Sequence, residues 1–177
     1  RFDSLNVSFR YDRGAVYLDS LHGTILNGCR IEGYGDLNTA ARPEAYRLTA
    51  RVDSFDLNNL VFNSFRSDLS GQMIMAGRGL NSQTMALDFD LDLAESYFDI
   101  YHCHHAAGQM TVTTGGLHFF PGFEVDYHDN RFVFDGGLEY KGQMDITGRA
   151  DLPQLADFVH QTFIDLPAGR ATADFGL

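Results

Sequence analysis

The stretch Met85-Ala86-Leu87-Asp88-Phe89-Asp90-Leu91-Asp92-Leu93 constrains the fold more than any other part of the chain. Every odd position is large and apolar, and the even positions carry Ala or Asp. Successive side chains of a strand point to opposite faces, so as a strand this stretch has one apolar and one acidic face. A helix would set Asp88 and Asp92 among the apolar side chains. The same period of two returns in Leu5, Val7, Phe9 and Tyr11, in Tyr46, Leu48, Ala50 and Val52, in Phe123, Val125 and Tyr127, and in Phe132 and Phe134. Asp12-Arg13-Gly14, Asn27-Gly28, Asp129-Asn130 and Asp135-Gly136-Gly137 punctuate these runs. Gly and Asn tolerate positive φ, so these clusters read as turns, and Tyr127 to Phe132 reads as a hairpin. The fold class that follows is mostly β, with antiparallel strands.

A repeat underlies the alternation. Gly71-Gln72-Met73, Gly108-Gln109-Met110 and Gly142-Gln143-Met144 each open a strand-like run that closes on Gly and Leu, and Gly28-Cys29-Arg30 to Leu37 is a weaker copy. The copies return roughly every 35–45 residues, the interval of a recurring supersecondary unit. This predicts an elongated, curved antiparallel sheet of repeated strand units, with residues 1–177 as a single β-repeat module. One segment departs from it. Leu155, Phe158, Val159, Thr162, Phe163 and Leu166 follow helical spacing, with Pro153 near the start and Pro167 beyond the end. A short amphipathic helix is expected near 153–165, covering an end or edge of the sheet. Leu57 to Phe62 is a weaker candidate for one helical turn.

Charge narrows the partners. The formal net charge is −11, from 24 acidic and 13 basic residues, which repels a phosphate backbone and argues against nucleic acid. No apolar run approaches the roughly 18 residues of a membrane helix. The chain starts at Arg1 and ends in Thr172 to Leu177, which reads as the start of a strand, so a segment of a longer chain is expected. Of the two cysteines, Cys29 and Cys103, a disulfide and two separate free thiols are both open readings.

Enzyme chemistry finds little support. No Gly-x-Ser-x-Gly elbow is present, and the only lysine, Lys141, lies outside any phosphate-binding loop. Catalytic residues are therefore expected to be none, and cofactors none. Tyr101-His102-Cys103-His104-His105 is the most metal-like stretch. On a strand His102 and His104 face one way and Cys103 and His105 the other, so each side offers two donors where a closed site needs about four. His102 and His104 remain weak metal candidates beside the plainer reading of a polar strand end. Asp88, Asp90 and Asp92 form an acidic ladder, with spacing of roughly 7 Å, open to Ca²⁺ or general acid–base work but more simply a solvated outer face.

The apolar faces are what remains. The chain has 15 Phe and 8 Tyr and no Trp. These faces either pack together in a closed core or leave a curved sheet with an open apolar groove. Burial contributes about 0.8 kcal/mol per methylene, so a groove covering about ten methylenes of an acyl chain contributes on the order of 8 kcal/mol without any special polar residue. The candidate lining is Tyr46, Leu48, Val52, Leu87, Phe89, Leu91, Leu93, Phe123, Val125, Phe132, Phe134, Met144 and Ile146.

The glycine-bounded rhythm resembles that of the AsmA/TamB-like group of bacterial envelope proteins. It is carried by Leu21-His22-Gly23, Ile31-Glu32-Gly33-Tyr34-Gly35-Asp36-Leu37, Tyr46 to Val52 with Phe55-Asp56-Leu57-Asn58-Asn59-Leu60, Leu69-Ser70-Gly71, and the stretch from Gly71 to Leu93. The match covers about residues 14–93, with an echo at 137–152. The resemblance implies a long β-taco with an apolar interior and a periplasmic location. It also implies anchoring to the bacterial inner membrane by a segment outside these residues. The function implied is phospholipid transport and outer-membrane assembly, with acyl chains and outer-membrane β-barrel or other envelope proteins as partners. It supplies no catalytic residue. The alternative is a structural module that binds partner proteins by strand addition, without lipid. A third reading is an enzyme or metal protein built around His102, Cys103, His104 and His105.

Overall fold

The computed structural model describes residues 2–25, 28–56, 66–79, 86–98, 101–139, 144–153 and 171–176. They form strands β1 (Phe2–Asp12), β2 (Ala15–Ile25), β3 (Cys29–Asn38), β4 (Ala45–Phe55), β5 (Ser67–Arg78), β6 (Ala86–Leu93), β7 (Ser96–Phe98), β8 (Tyr101–Cys103), β9 (His105–Thr113), β10 (Gly116–Tyr127), β11 (Asn130–Glu139), β12 (Met144–Leu152) and β13 (Ala171–Gly176). No helix occurs among the described residues. The helix expected near 153–165 lies outside them except for Pro153, and the candidate turn at 57–62 lies outside them entirely.

The sheet is a meander. Eleven strands pair in the order β1-β2-β3-β4-β5-β6-β9-β10-β11-β12-β13, every pair antiparallel. Short β7 and β8 pair with each other, and β7 also pairs with the start of β5. Apart from the β7–β8 excursion between β6 and β9, chain neighbours become sheet neighbours, the low-entropy solution for successive hairpins.

Turn chemistry explains where the chain reverses. Arg13 and Gly14 both have positive φ, 47° and 86°, between Asp12 and Ala15. Two successive positive φ values give a two-residue turn whose twist matches the strand pair it joins. His128 and Asp129 close the expected hairpin, with Tyr127 opposite Asn130 and His128 at φ 51°.

Asp135-Gly136-Gly137, expected as a turn, instead lies inside β11. Its glycines serve a close approach of strands. Gly136 has φ 123°, and a β-carbon there would lie 2.0 Å from the Asp145 carbonyl oxygen. The irregularity falls on β10, where the register slips between Phe119 and Phe123. Phe120, Pro121 and Gly122 are left over and exposed, and proline, which cannot donate to a ladder, occupies the slip.

The Gly-Gln-Met triplets also sit differently from expectation. The two described triplets do not open strands: Gly71 and Gly108 lie inside β5 and β9, whereas the weaker copy at Gly28 sits at a turn. Gly142 and Gln143 lie outside the described residues. In both described triplets Gln is exposed and Met is half-buried, so the triplet places one polar and one apolar residue on opposite faces. Gly71 stands opposite Leu93 and Gly108 opposite Leu91, so the two copies are offset by one pleat.

The best-buried cluster is small. Cys29, Ile31, Ala50, Val52 and Phe55 form it, with Leu5, Leu21, Leu48, Leu69 and Met73 packed against it. Both cysteines are free thiols.

Candidate functional site

Residues directly opposite in antiparallel strands point to the same side, so the pairing register assigns every side chain to a face. From β1 to β12 one row runs Leu5, Gly23, Ile31, Val52, Gly71, Leu93, Ala106, Val125, Phe132, Ala150. A second, one pleat further, runs Val7, Leu21, Gly33, Ala50, Met73, Leu91, Gly108, and resumes beyond the β10 slip as Phe123, Phe134, Gly148. A third runs Phe9, Leu18, Gly35, Leu48, Met75, Phe89, Met110, Phe119, Gly136, Ile146. The fourth runs Tyr11, Val16, Leu37, Tyr46, Gly77, Leu87, Val112, Leu117, Leu138, Met144.

These four rows cross ten strands without one charged residue. At about 4.8 Å between strands and about 6.8 Å between rows, the face spans roughly 43 by 20 Å, well beyond the few hundred Å² usual for an apolar patch on a monomer. The opposite face carries Glu32, Asp36, Arg47, Arg51, Gln72, Asp88, Asp90, Asp92, Gln109 and Thr111.

Every residue proposed as groove lining lies on the apolar face. Val52, Leu87, Leu93 and Phe123 are buried; Tyr46, Leu48, Phe89, Leu91, Val125, Phe132, Phe134 and Ile146 are half-buried; Met144 is exposed. Two of these rings, Tyr46 and Phe123, lie on glycines of the neighbouring strand, and Phe134 crowds a third glycine with its Cβ. A β-carbon at Gly77 would meet the Tyr46 ring at 2.3 Å, one at Gly108 the Phe123 ring at 2.8 Å, and one at Gly148 the Phe134 Cβ at 2.6 Å. Phe119, Phe123 and Phe134 pack with centroids 4.7–5.4 Å apart. Aromatic rings laid over glycine smooth the surface and cover strand backbone.

Met73, Met75, Met110, Val112, Leu117, Phe119 and Leu138 share this face but were absent from the sequence-based lining. The position of Met within each Gly-Gln-Met triplet was the available signal, since Gly and Met two residues apart share a side. Two recesses, of about 490 and 540 Å³, open mainly among polar-face residues such as Arg10, Asp36 and Arg47, or Thr111, His118 and Asp145.

The acidic ladder has partners across the β6–β9 pair. The Thr111 hydroxyl donates to Asp88 at 2.7 Å, the Gln109 amide to Asp90 at 3.5 Å, and His105 Nε2 lies 3.1 Å from Asp92 Oδ1. These carboxylates face β9 side chains rather than converging on one point.

The histidine run divides as strand geometry predicts. His105 joins the polar face near Asp92, Glu124 and Asp126. The Cys103 thiol donates to the His105 carbonyl at 2.9 Å, and burial pushes its pKa up. His102 and His104 turn the other way and meet Glu95, which the sequence did not single out. His104 Nδ1 lies 2.9 Å from one Glu95 oxygen and His102 Nε2 contacts the other. The hydrogen bond from His104 holds the Glu95 carboxyl below the usual range, aided by His102 and opposed by desolvation.

The backbone explains this meeting. The β6–β9 register, with Leu93 opposite Ala106, continues without slip as Ser96 opposite Cys103 and Tyr97 opposite His102. Between these pairs the long hairpin bends, and Glu95 and His104 stand opposite each other at the bend. Buried Ser96 pins it: the Ser70 amide donates to its hydroxyl at 3.1 Å, and the Ala94 amide donates to the Ser70 carbonyl at 2.9 Å. On the other side the His104 amide donates to the Asp126 carbonyl at 2.9 Å.

No protein-family model, no curated protein and no solved structure matches this chain.

Proposed function

We propose that the chain is a segment of a periplasmic envelope protein whose apolar sheet face carries phospholipid acyl chains, in the manner implied by its resemblance to the AsmA/TamB-like group. The observation that supports this reading is the uninterrupted apolar character of four rows over ten strands. A β-taco would follow if the sheet curls with this face inward, each further strand unit lengthening the groove. Acyl chains would lie against residues such as Leu48, Met75, Phe89 and Leu91 while head groups stay in water. No residue is assigned a catalytic step. Transfer would be passive, and outer-membrane assembly would be its consequence.

The test is organic extraction of the purified chain followed by mass spectrometry, with transfer of a fluorescent phospholipid between vesicles. Copurifying phospholipid is expected. Phe89→Asp and Leu91→Arg are expected to abolish transfer while the β-sheet circular dichroism persists. A parent protein free of lipid, together with unfolding of both variants, would identify the face as a closed core.

A second reading has its own observation. The outer edges of β1 and β13 have no strand partner among the described residues, and β1 exposes Val7, Phe9 and Tyr11. An open edge accepts a partner strand through main-chain hydrogen bonds. Tight binding to an envelope β-barrel protein with no lipid signal would favour this reading.

A further inference from the structure

We propose that Glu95, His102 and His104 form a binding site for a first-row transition metal ion of the Zn²⁺ class, built at the bend of the long β6–β9 hairpin. This inference stands on geometry of its own and does not depend on lipid carriage. One donor atom from each residue lies within 4.8 Å of the other two. Tetrahedral zinc with donors at about 2.1 Å needs them about 3.4 Å apart, so a small contraction seats an ion.

The donor chemistry selects the ion. Two imidazole nitrogens and one carboxylate oxygen suit zinc and its neighbours, whereas Ca²⁺ and Mg²⁺ prefer oxygen alone. Three protein donors leave a fourth position for water or an exchangeable group. Cys103 is excluded from the set because it alternates to the other side and its thiol donates to the His105 carbonyl.

The site is also preorganised. His102 stacks on Tyr97 with centroids 4.5 Å apart and meets the His104 ring at 4.6 Å, which limits rotation of both imidazoles. The Ser70 amide holds the hydroxyl of Ser96, the residue after Glu95, and the Asp126 carbonyl anchors the His104 amide. Supports of this kind orient metal ligands. The alternative is a plain imidazole–carboxylate pair, in which each Glu95 oxygen serves one histidine and no ion is held with useful affinity.

The experiment adds Zn²⁺ alone to the EDTA-stripped 177-residue chain and measures binding by competition with a chromogenic chelator. One equivalent is expected to bind with micromolar or tighter affinity. Glu95→Gln and His104→Ala are each expected to weaken it at least tenfold, and His22→Ala and His118→Ala to leave it unchanged. Glu95 is solvent-exposed and Gln keeps its shape, so circular dichroism should confirm that this variant folds. Co²⁺ substitution should give a visible spectrum without a thiolate charge-transfer band. The proposal is overturned by the absence of a saturable single equivalent, by parental affinity in Glu95→Gln and His104→Ala, or by a thiolate band, which would place Cys103 among the ligands.

Discussion

At the scale of single residues, the glycines of the Gly-Gln-Met triplets do two jobs that sequence alone does not separate. Gly71 has φ 153° and Gly108 has φ 140°, a region side chains rarely adopt. Each also faces a crowded neighbour: a β-carbon at Gly71 would lie 2.4 Å from the Asp92 carbonyl oxygen and one at Gly108 2.8 Å from Phe123. Gly28 has φ 101° with nothing within 4 Å of its would-be β-carbon. Gly71→Ala should therefore cost about 2–4 kcal/mol, strain plus clash, and Gly28→Ala only about 1 kcal/mol, strain alone. Urea denaturation of the two variants measures both, and equal losses would show that the clash is relieved by small shifts. A glycine in the sequence announces conformational freedom but not whether the chain spends it on a turn, as at Gly14, or on close strand approach, as at Gly136. That is why Asp135-Gly136-Gly137 was legible as special and misread as a reversal. Cys29 makes a separate prediction. It is fully buried and desolvation pushes its thiol pKa up, partly offset by a backbone hydrogen bond at Asp53. With Cys103 replaced by Ser, alkylation by iodoacetamide near pH 8 should be much slower than for a free cysteine peptide. Stability follows the same sign. Above the ordinary thiol value the unfolded chain loses this proton while the folded chain keeps it, so the contribution of Cys29 to stability should fall as pH rises past about 9.

At the scale of elements, the β6–β9 hairpin shows what a period-2 pattern can and cannot convey. The alternation in Ala86–Leu93 correctly separates Leu87, Phe89, Leu91 and Leu93 from Asp88, Asp90 and Asp92, because pleat alternation is a local property of the backbone. It also separates His102 and His104 from Cys103 and His105. What sits opposite them is set by register, a non-local quantity, so neither Thr111 beneath Asp88 nor Glu95 against the two histidines was readable beforehand. The structure turns the acidic ladder into cross-strand pairs with exposed β9 side chains. Exposed pairs of this kind contribute little, about 0–1 kcal/mol each. Asp88→Ala should lower stability by no more than about 1 kcal/mol, and millimolar Ca²⁺ should leave the thermal midpoint unchanged. A Ca²⁺-dependent rise in that midpoint, lost in Asp90→Asn, would restore the ladder as an ion site.

At the scale of the whole molecule, the meander makes stability a sum of neighbouring strand pairs. Among the described residues, substantial contacts join strands adjacent in the sheet, apart from a lesser one between β8 and β10. Sheets and solenoids assembled this way behave as nearly one-dimensional systems, in which each unit is held by the units flanking it. The class of fold was legible because every hairpin is local in sequence. The extent of the apolar face was not, since it depends on ten strands keeping registers that bring Gly, Ala or a larger apolar residue to the crossings of each row. This arrangement dictates a gradient. Strands β4, β5, β6 and β9 have paired neighbours on both sides and contribute many of the buried or half-buried residues of the apolar face. Strand β1 has one partner and leaves Phe9 and Tyr11 65% and 68% exposed. Amide hydrogen exchange should therefore be slowest in β4, β5, β6 and β9 and fastest in β1 and β13, with opening from the edges inward rather than in one global step. Phe9→Lys should raise exchange in β1 and leave β5 and β6 unaltered, because the loss cannot propagate past the intact β2–β3 pair. Uniform exchange across all strands would instead require the apolar face to be closed over itself, binding distant strands into one cooperative core. The same measurement thus bears on whether that face is free to receive an acyl chain.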